Sequence, residues 1–236
     1  MKLFRESIRK LKHRLKFFGI IKEVKINYIS SLKSNSKLTN LMNLYGSDKG
    51  GKNNQHNYSE YYSELFFHKR MKIKYFLEIG LGTNDASKAS NMGANGVPLA
   101  SLKAWKDYFP NAKIFGADID KNILKDEDRI NTFYVDQTNP KTIKEMFDTI
   151  GVNKFDIILE DGLHQFEANI TFFENSIKYL SKNGTYIIED VYYKDQIKFA
   201  NYFNKSGYNF SIVNIFHNKN IANNCVIIIR KNSDDN

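Results

Sequence analysis

The sequence predicts an α/β fold: a seven-stranded, mostly parallel sheet with helices on both faces and an antiparallel hairpin at its C-terminal end. Three observations predict it. From residue 74 onward, short apolar runs alternate with helix-length amphipathic segments, the pattern of parallel strands joined by crossover helices. The runs are nearly continuous rather than alternating, as strands covered on both faces require. The last two runs, 210–216 (FSIVNIF) and 224–230 (NCVIIIR), have no helix between them and read as the hairpin.

In chain order, the first strand is 74–79 (KYFLEI), followed by a helix over 98–109 with Pro98 placed as its starter. Strands at 113–118 (KIFGAD) and 132–135 (TFYV) precede a helix at 140–149, which Pro140 opens. The strand at 155–159 (FDIIL) leads into a helix over 166–181. Gly184 then breaks the chain before the strand at 185–189 (TYIIE). A last helix spans 194–206, with Gly207 as its terminator.

A chain of 236 residues and 27.5 kDa suits one sizeable core with a short appendage. One cysteine, Cys225, excludes an intrachain disulfide framework, and no segment has the charge-free apolar length of a signal-peptide core or a membrane span. A cytoplasmic setting is therefore expected. The net charge of +9 is local: residues 1–38 hold eleven Lys and Arg against Glu6 and Glu23, while residues 39–236 hold 24 bases and 24 acids. A balanced body argues against a nucleic-acid partner. Two parts follow, a basic helical arm over 1–38 and a catalytic domain over 39–236. In the arm, Phe4, Ile8, Leu11, Leu15 and Phe18 recur at helical spacing with Lys and Arg filling most of the other face. Residues 1–25 thus offer either a peripheral contact with the inner face of an anionic membrane or a packing stripe for the domain itself or a second subunit in a homo-oligomer.

Ligands of open parallel sheets bind where the carboxyl ends of the strands meet loops and helix N-termini. The first strand ends in Glu78, Gly80 and Gly82, a loop able to approach a ligand closely. The dinucleotide fingerprint would place a small residue where Asp85 stands, and its ribose acid about 20 residues on; the acid here is Asp118, after a long insertion. Asp118 suits the ribose hydroxyls of an adenosine-containing ligand, or caps the helix that follows. Asp136 and Gln137, after the third strand, suit an adenine edge or an ordinary turn. Asp161 ends the fourth strand and Glu189-Asp190 the fifth, so with those strands adjacent three carboxylates converge. Such a cluster needs a cation, and Mg²⁺ or another divalent ion with oxygen ligands is the economical choice, against separate helix caps. His164, one turn beyond Asp161, is placed as a general base.

These residues carry a resemblance. Glu-x-Gly-x-Gly, an Asp after the second and third strands, and acids after the fourth and fifth resemble the class I S-adenosylmethionine-dependent methyltransferases, which have a Rossmann-like fold. The segments LYGSDKG, HNYSEYYSELF, ASLKAWKDYFPNAKIFGADID, EDGLHQ and YIIEDV are similar to the metal-dependent sugar O-methyltransferases, the group that includes the mycinamicin VI 2″-O-methyltransferase and enzymes of capsule and lipopolysaccharide gene clusters. Coverage runs from about Leu44 to Arg230. The resemblance implies methyl transfer from S-adenosylmethionine to a hydroxyl of a sugar, nucleotide-sugar or polysaccharide, with Mg²⁺, in capsule, lipopolysaccharide or glycoside biosynthesis. It implies that Asp161, Glu189 and Asp190 hold the metal and His164 is the base, while Glu78, Gly80, Gly82, Asp118 and Asp136 line the cofactor. It further implies that Tyr45, Asp48, Lys49, His56 and Tyr58 wall the substrate. Leu163 departs from the Ser often found there in relatives, which removes a hydrogen bond to the base. Alternatives are the same fold acting on a phenolic, phosphorylated or amide-bearing acceptor, or a membrane-docked binding protein.

Overall fold

The computed structural model describes residues 26–29, 35–52, 56–217, 219–220 and 222–231. The helix expected over residues 1–25 lies outside them. The described elements are β1 (Ile26–Ile29), α1 (Lys37–Tyr45), α2 (Tyr58–Phe66), β2 (Tyr75–Ile79), α3 (Ala100–Tyr108), β3 (Lys113–Asp118) and β4 (Ile130–Tyr134). There follow α4 (Pro140–Ile150), β5 (Phe155–Glu160), α5 (Phe166–Ser176), β6 (Leu180–Ile188), α6 (Gln196–Ser206), β7 (Asn209–Ile215) and β8 (Cys225–Arg230).

The strands form one sheet of eight, in the order β1-β7-β8-β6-β5-β2-β3-β4. Every pairing is parallel except the two made by β8, which runs antiparallel between β6 and β7. The expected parallel sheet and terminal hairpin are therefore present. The count of seven is corrected to eight: β1, inside the span read as a helical arm, pairs with β7 and forms the edge. Its four residues are too few to show a period against their basic surroundings.

Covering on both faces explains the unbroken apolar runs. In β5, Phe155 and Ile158 belong to one core with Phe147, Phe172, Phe173, Phe199 and Phe203 of α4 to α6, while Ile157 and Leu159 belong to the other. That second core holds Leu38, Met42, Tyr58, Tyr62, Phe66 and Trp105 of α1 to α3. Adjacent side chains of a strand point to opposite faces, so both sets must be apolar.

Two local signals act as expected. Pro140 is the first residue of α4, behind Asn139, whose side chain accepts from the Lys141 N–H, and Gly151 closes that helix at φ 69°. Gly207 closes α6 at φ 75°. Two others are corrected. Pro98 stands two residues before α3, and Gly184 lies inside β6 rather than breaking the chain before it. There the register with β5 slips, and a Cβ on Gly184 would stand 2.8 Å from the Leu180 side chain and 3.0 Å from the Phe155 carbonyl oxygen. The space is what requires glycine.

Candidate active site at the carboxyl edge of the sheet

Strands β2, β3, β4, β5 and β6 are mutually parallel, so their C-terminal residues meet at one edge. A cleft of about 720 Å³ opens there, lined by Gly80, Gly82, Asp118, Asp136, Gln137, Asp161, His164 and Asp190 among others. The sequence-predicted strand-end residues are thus brought together, with Glu78 and Glu189 lying deeper.

On the β2 side, Gly80 and Gly82 take φ of 84° and 80°. A Cβ on Gly80 would lie 1.9 Å from the Asp161 carbonyl oxygen, so the loop passes against the end of β5 with room only for hydrogen. Asp118 accepts from the Leu81 N–H at 2.6 Å and the Asp120 N–H at 2.8 Å, which fixes its carboxylate beside the glycine loop. Burial raises its pKa against those hydrogen bonds. Asp136 accepts from the Thr138 N–H and hydroxyl in a tight turn at the rim.

Gln137, expected at an adenine edge, lines the cleft and is held by two hydrogen bonds. Its amide donates to Glu160 Oε1 at 2.6 Å and its oxygen accepts from the Leu163 N–H at 2.8 Å. Glu160 also accepts from the Gly162 N–H at 3.1 Å and from Asn169 Nδ2. Burial pushes the Glu160 carboxyl up to about 7. Together these residues pin the turn that carries His164, supplying support that Leu163 has no hydroxyl to give.

His164 and Asp190 are two of four non-glycine residues with positive φ among the described residues, at 55° and 54°. Strain of this kind persists only where surrounding contacts hold it. The two face each other, His164 Nε2 lying 3.7 Å from Asp190 Oδ2, while His164 Nδ1 is 3.9 Å from Asp161 Oδ1. Asp161, His164 and Asp190 each present one possible ligand atom, and these lie within 4.8 Å of one another. Two carboxylates and an imidazole at that spacing fit a divalent cation.

Glu189, expected in that set, is turned inward. Its Oε2 accepts from Lys49 Nζ at 2.7 Å and its Oε1 from the Tyr62 hydroxyl at 2.6 Å. Glu78 does not line the cleft either. It is fully buried, 3.5 Å from Lys49 Nζ, and burial pushes it up to about 7 with the ammonium opposing. Lys49 also donates to Asp161 Oδ2. Burial works against the ammonium, yet Asp161, Glu189, Asp48 and Glu78 hold its pKa well above the usual lysine range. Burial raises Asp161 and Glu189 while Lys49 opposes the shift.

Of the remaining expected wall residues, Asp48 lines the cleft, and Tyr58 and His56 stand behind Asp190. The Tyr58 hydroxyl donates to Asp190 Oδ1 at 2.6 Å, and His56 Nδ1 lies 3.4 Å from the same oxygen, its ring stacked on Tyr58. Tyr45 is elsewhere: its hydroxyl donates to Asp107 of α3 at 2.5 Å, tying α1 to α3. Sequence reasoning missed Tyr62, although it follows Tyr58 by one helical turn in HNYSEYYSELF. It also missed Tyr192, 41% exposed at the cleft.

Comparison with known proteins supplies the setting. No family model matches the chain. It is 31% identical over 154 residues to 8-demethyl-8-alpha-L-rhamnosyl tetracenomycin-C 2'-O-methyltransferase of Streptomyces olivaceus, covering 65% of this chain and 37% of that protein. It is 30% identical over 155 residues to demethylmacrocin O-methyltransferase of Streptomyces fradiae, covering 66% and 36%. Mycinamicin VI 2''-O-methyltransferase of Micromonospora griseorubida is 31% identical over 137 residues, covering 58% and 32%. The matched region thus spans about a third of each relative's length. Among solved structures, the MycE methyltransferase in complex with Mg, S-adenosylhomocysteine and mycinamycin VI superposes with a TM-score of 0.55 at 29% identity, over 66% of this chain and 38% of that one. The fold is that of the class I methyltransferases, and the chain resembles the sugar O-methyltransferases among them.

Proposed function

We propose that this protein transfers a methyl group from S-adenosylmethionine to a sugar hydroxyl in a reaction that uses a divalent cation, Mg²⁺ foremost. One observation carries the reading: the Asp161–His164–Asp190 group opens on the same cleft as the glycine loop and Asp118. The cleft is of the size that takes a small-molecule ligand. The glycine loop, where a Cβ on Gly80 would collide with backbone, fits close approach by a cofactor, and Asp118, fixed beside that loop, suits the hydroxyls of a ribose. The Streptomyces olivaceus relative is named for O-methylation of a rhamnosyl compound, which supports a glycoside acceptor. Capsule, lipopolysaccharide or glycoside biosynthesis is the setting we propose.

Asp161 and Asp190, with His164 beside them, would hold the ion. When bound, it supplies Lewis acidity that lowers the pKa of an acceptor hydroxyl. The chain's own residues do the rest. His164 Nε2, on the side of the ring facing Asp190, would take the proton from the acceptor O–H. S-adenosylmethionine, when bound, would supply the methyl group, a C–O bond to the acceptor oxygen forming as the C–S bond breaks, with S-adenosylhomocysteine as the leaving group. Tyr58 and His56 orient Asp190 from behind. Tyr192 offers an exposed aromatic face at the mouth for the sugar ring. Holding both reactants in one cleft removes most of the entropic cost of their encounter.

Calorimetric titration tests the class: S-adenosylhomocysteine binds and NAD does not. Tight NAD binding with no response to S-adenosylhomocysteine overturns the reading. EDTA-treated protein that methylates at full rate removes the metal from it.

A further inference from the structure

The segment YGSDKG builds a device around one side chain. Gly46 closes α1 in the left-handed conformation, Ser47 caps the short 3₁₀ turn Asp48–Gly50 by accepting from the Lys49 N–H, and Gly51 leaves it at φ 79°. A Cβ on Gly50 would stand 2.2 Å from Asn43 Oδ1, so the turn sits flush on α1. The result drives Lys49 under the strand ends, where it is 2% exposed and its ammonium meets Glu78 of β2, Asp161 after β5 and Glu189 after β6. A lysine so buried is rare unless paired, and the two buried acids Glu78 and Glu189 without a cation are costlier still.

We propose that Lys49 is the resident cation of this cluster, a positioning residue whose ammonium balances the inner carboxylates Glu78 and Glu189 and leaves the outer carboxylates, Asp161 and Asp190 beside His164, to the exchangeable divalent ion. The two positive charges divide the work by depth. Glu189 is closed on both oxygens by Lys49 and Tyr62, while Asp161 is shared, one oxygen toward Lys49 and the other toward His164. Asp161 therefore couples the fixed cation to the exchangeable one. The second half of the proposal rests on the metal reading above; the first half does not.

Thermal unfolding of the full chain and of Lys49→Met, Glu189→Gln and the double variant, each in EDTA and in excess Mn²⁺, tests both halves. In EDTA, Lys49→Met should lose roughly 10 °C in Tm, the cost of orphaned buried carboxylates in a chain of this size. The double variant should lose clearly less than the two single losses added together, because removing Glu189's charge removes part of what Lys49 balanced. Mn²⁺ should raise the Tm of Lys49→Met more than that of the native chain, since the ion then neutralises acids the ammonium no longer covers. If Lys49→Met does not fold, recovery of a folded double variant supports the proposal, and failure of both to fold overturns it. Strictly additive losses, or an Mn²⁺ response in Lys49→Met no larger than the native one, also overturn it. A native chain with no Mn²⁺ response counts against the metal reading, and the additivity test in EDTA then decides Lys49 by itself.

Discussion

At the scale of single residues, His164 is the group on which the proposed chemistry turns. Its left-handed backbone and the pinned Gly162-Leu163 turn aim the imidazole between Asp161 and Asp190. His164→Ala should lower turnover by about 10²–10⁴-fold while affinity for S-adenosylhomocysteine stays near native, and the rising limb of the pH–rate profile should disappear. An alanine variant that keeps both rate and limb would end its role as base. Glu78 gives a separate test through stability. Its folded carboxyl is pushed up to about 7 from an ordinary 4.5, so the native state holds a proton that the unfolded chain releases earlier. Stability from this group is therefore lost as pH rises from 4.5 through 7, and the cost is fully present above that. Glu78→Gln should remove a loss on the order of 3 kcal/mol across the window. Urea unfolding at pH 5 and pH 8 reads it: the variant must gain on the native chain as pH rises, and a constant or shrinking difference contradicts the assignment.

At the scale of elements, the turn after β2 is the tightest piece of backbone in the site. Gly80 must hold φ 84° with its missing Cβ pointed at the Asp161 carbonyl, and its N–H donates to the Ala117 oxygen at 2.9 Å. Gly80→Ala combines an unfavourable backbone region with a backbone clash, so β2 and β5 must part at the edge where the cofactor would sit. We expect S-adenosylhomocysteine binding to fall below detection by calorimetry and Tm to drop by several degrees, roughly the effect of a 2 kcal/mol loss. A variant that binds natively would show that the loop does not approach the cofactor.

At the scale of the molecule, the described strands run from residue 26 onward, and among the described residues no helix is long and apolar enough to cross a membrane. The excess positive charge belongs to residues 1–38. Deleting residues 1–25 leaves every described strand in the chain, so the truncated protein should fold and bind S-adenosylhomocysteine as before. Its co-sedimentation with anionic vesicles at low salt should fall, because each basic residue near such a surface contributes about 1 kcal/mol. Equal sedimentation by both forms, or none by either, removes the membrane contact; a change in oligomeric state instead favours subunit packing by the same stripe.

The order of strands and helices from residue 74, the parallel sheet, the hairpin and the chemistry of each strand end were legible because they are local. Apolar runs set the period, and the residue that stops a run marks the edge where ligands gather. Asp118, Asp161, His164 and Asp190, with Gly80 and Gly82, were in this way placed at the edge where the cleft opens. What only the tertiary structure decided is which charge meets which. Lys49 reaches Asp161 and Glu189 across 112 and 140 residues of chain. Glu189 and Asp190 are adjacent in sequence, yet one is buried against Lys49 and Tyr62 and the other faces the cleft, because the chain leaves β6 there with Asp190 in the left-handed region at φ 54°. Gln137 meets Glu160 and Leu163 because a buried carboxylate needs donors, and Gln137 is one of those the packed edge supplies. A short edge strand such as Ile26–Ile29 carries too little pattern to declare itself, and only pairing with β7 made it one. Period and strand ends are written in neighbouring residues, whereas the balance of buried charge is a property of the packed edge as a whole, where desolvation fixes each acid to the partner that geometry brings.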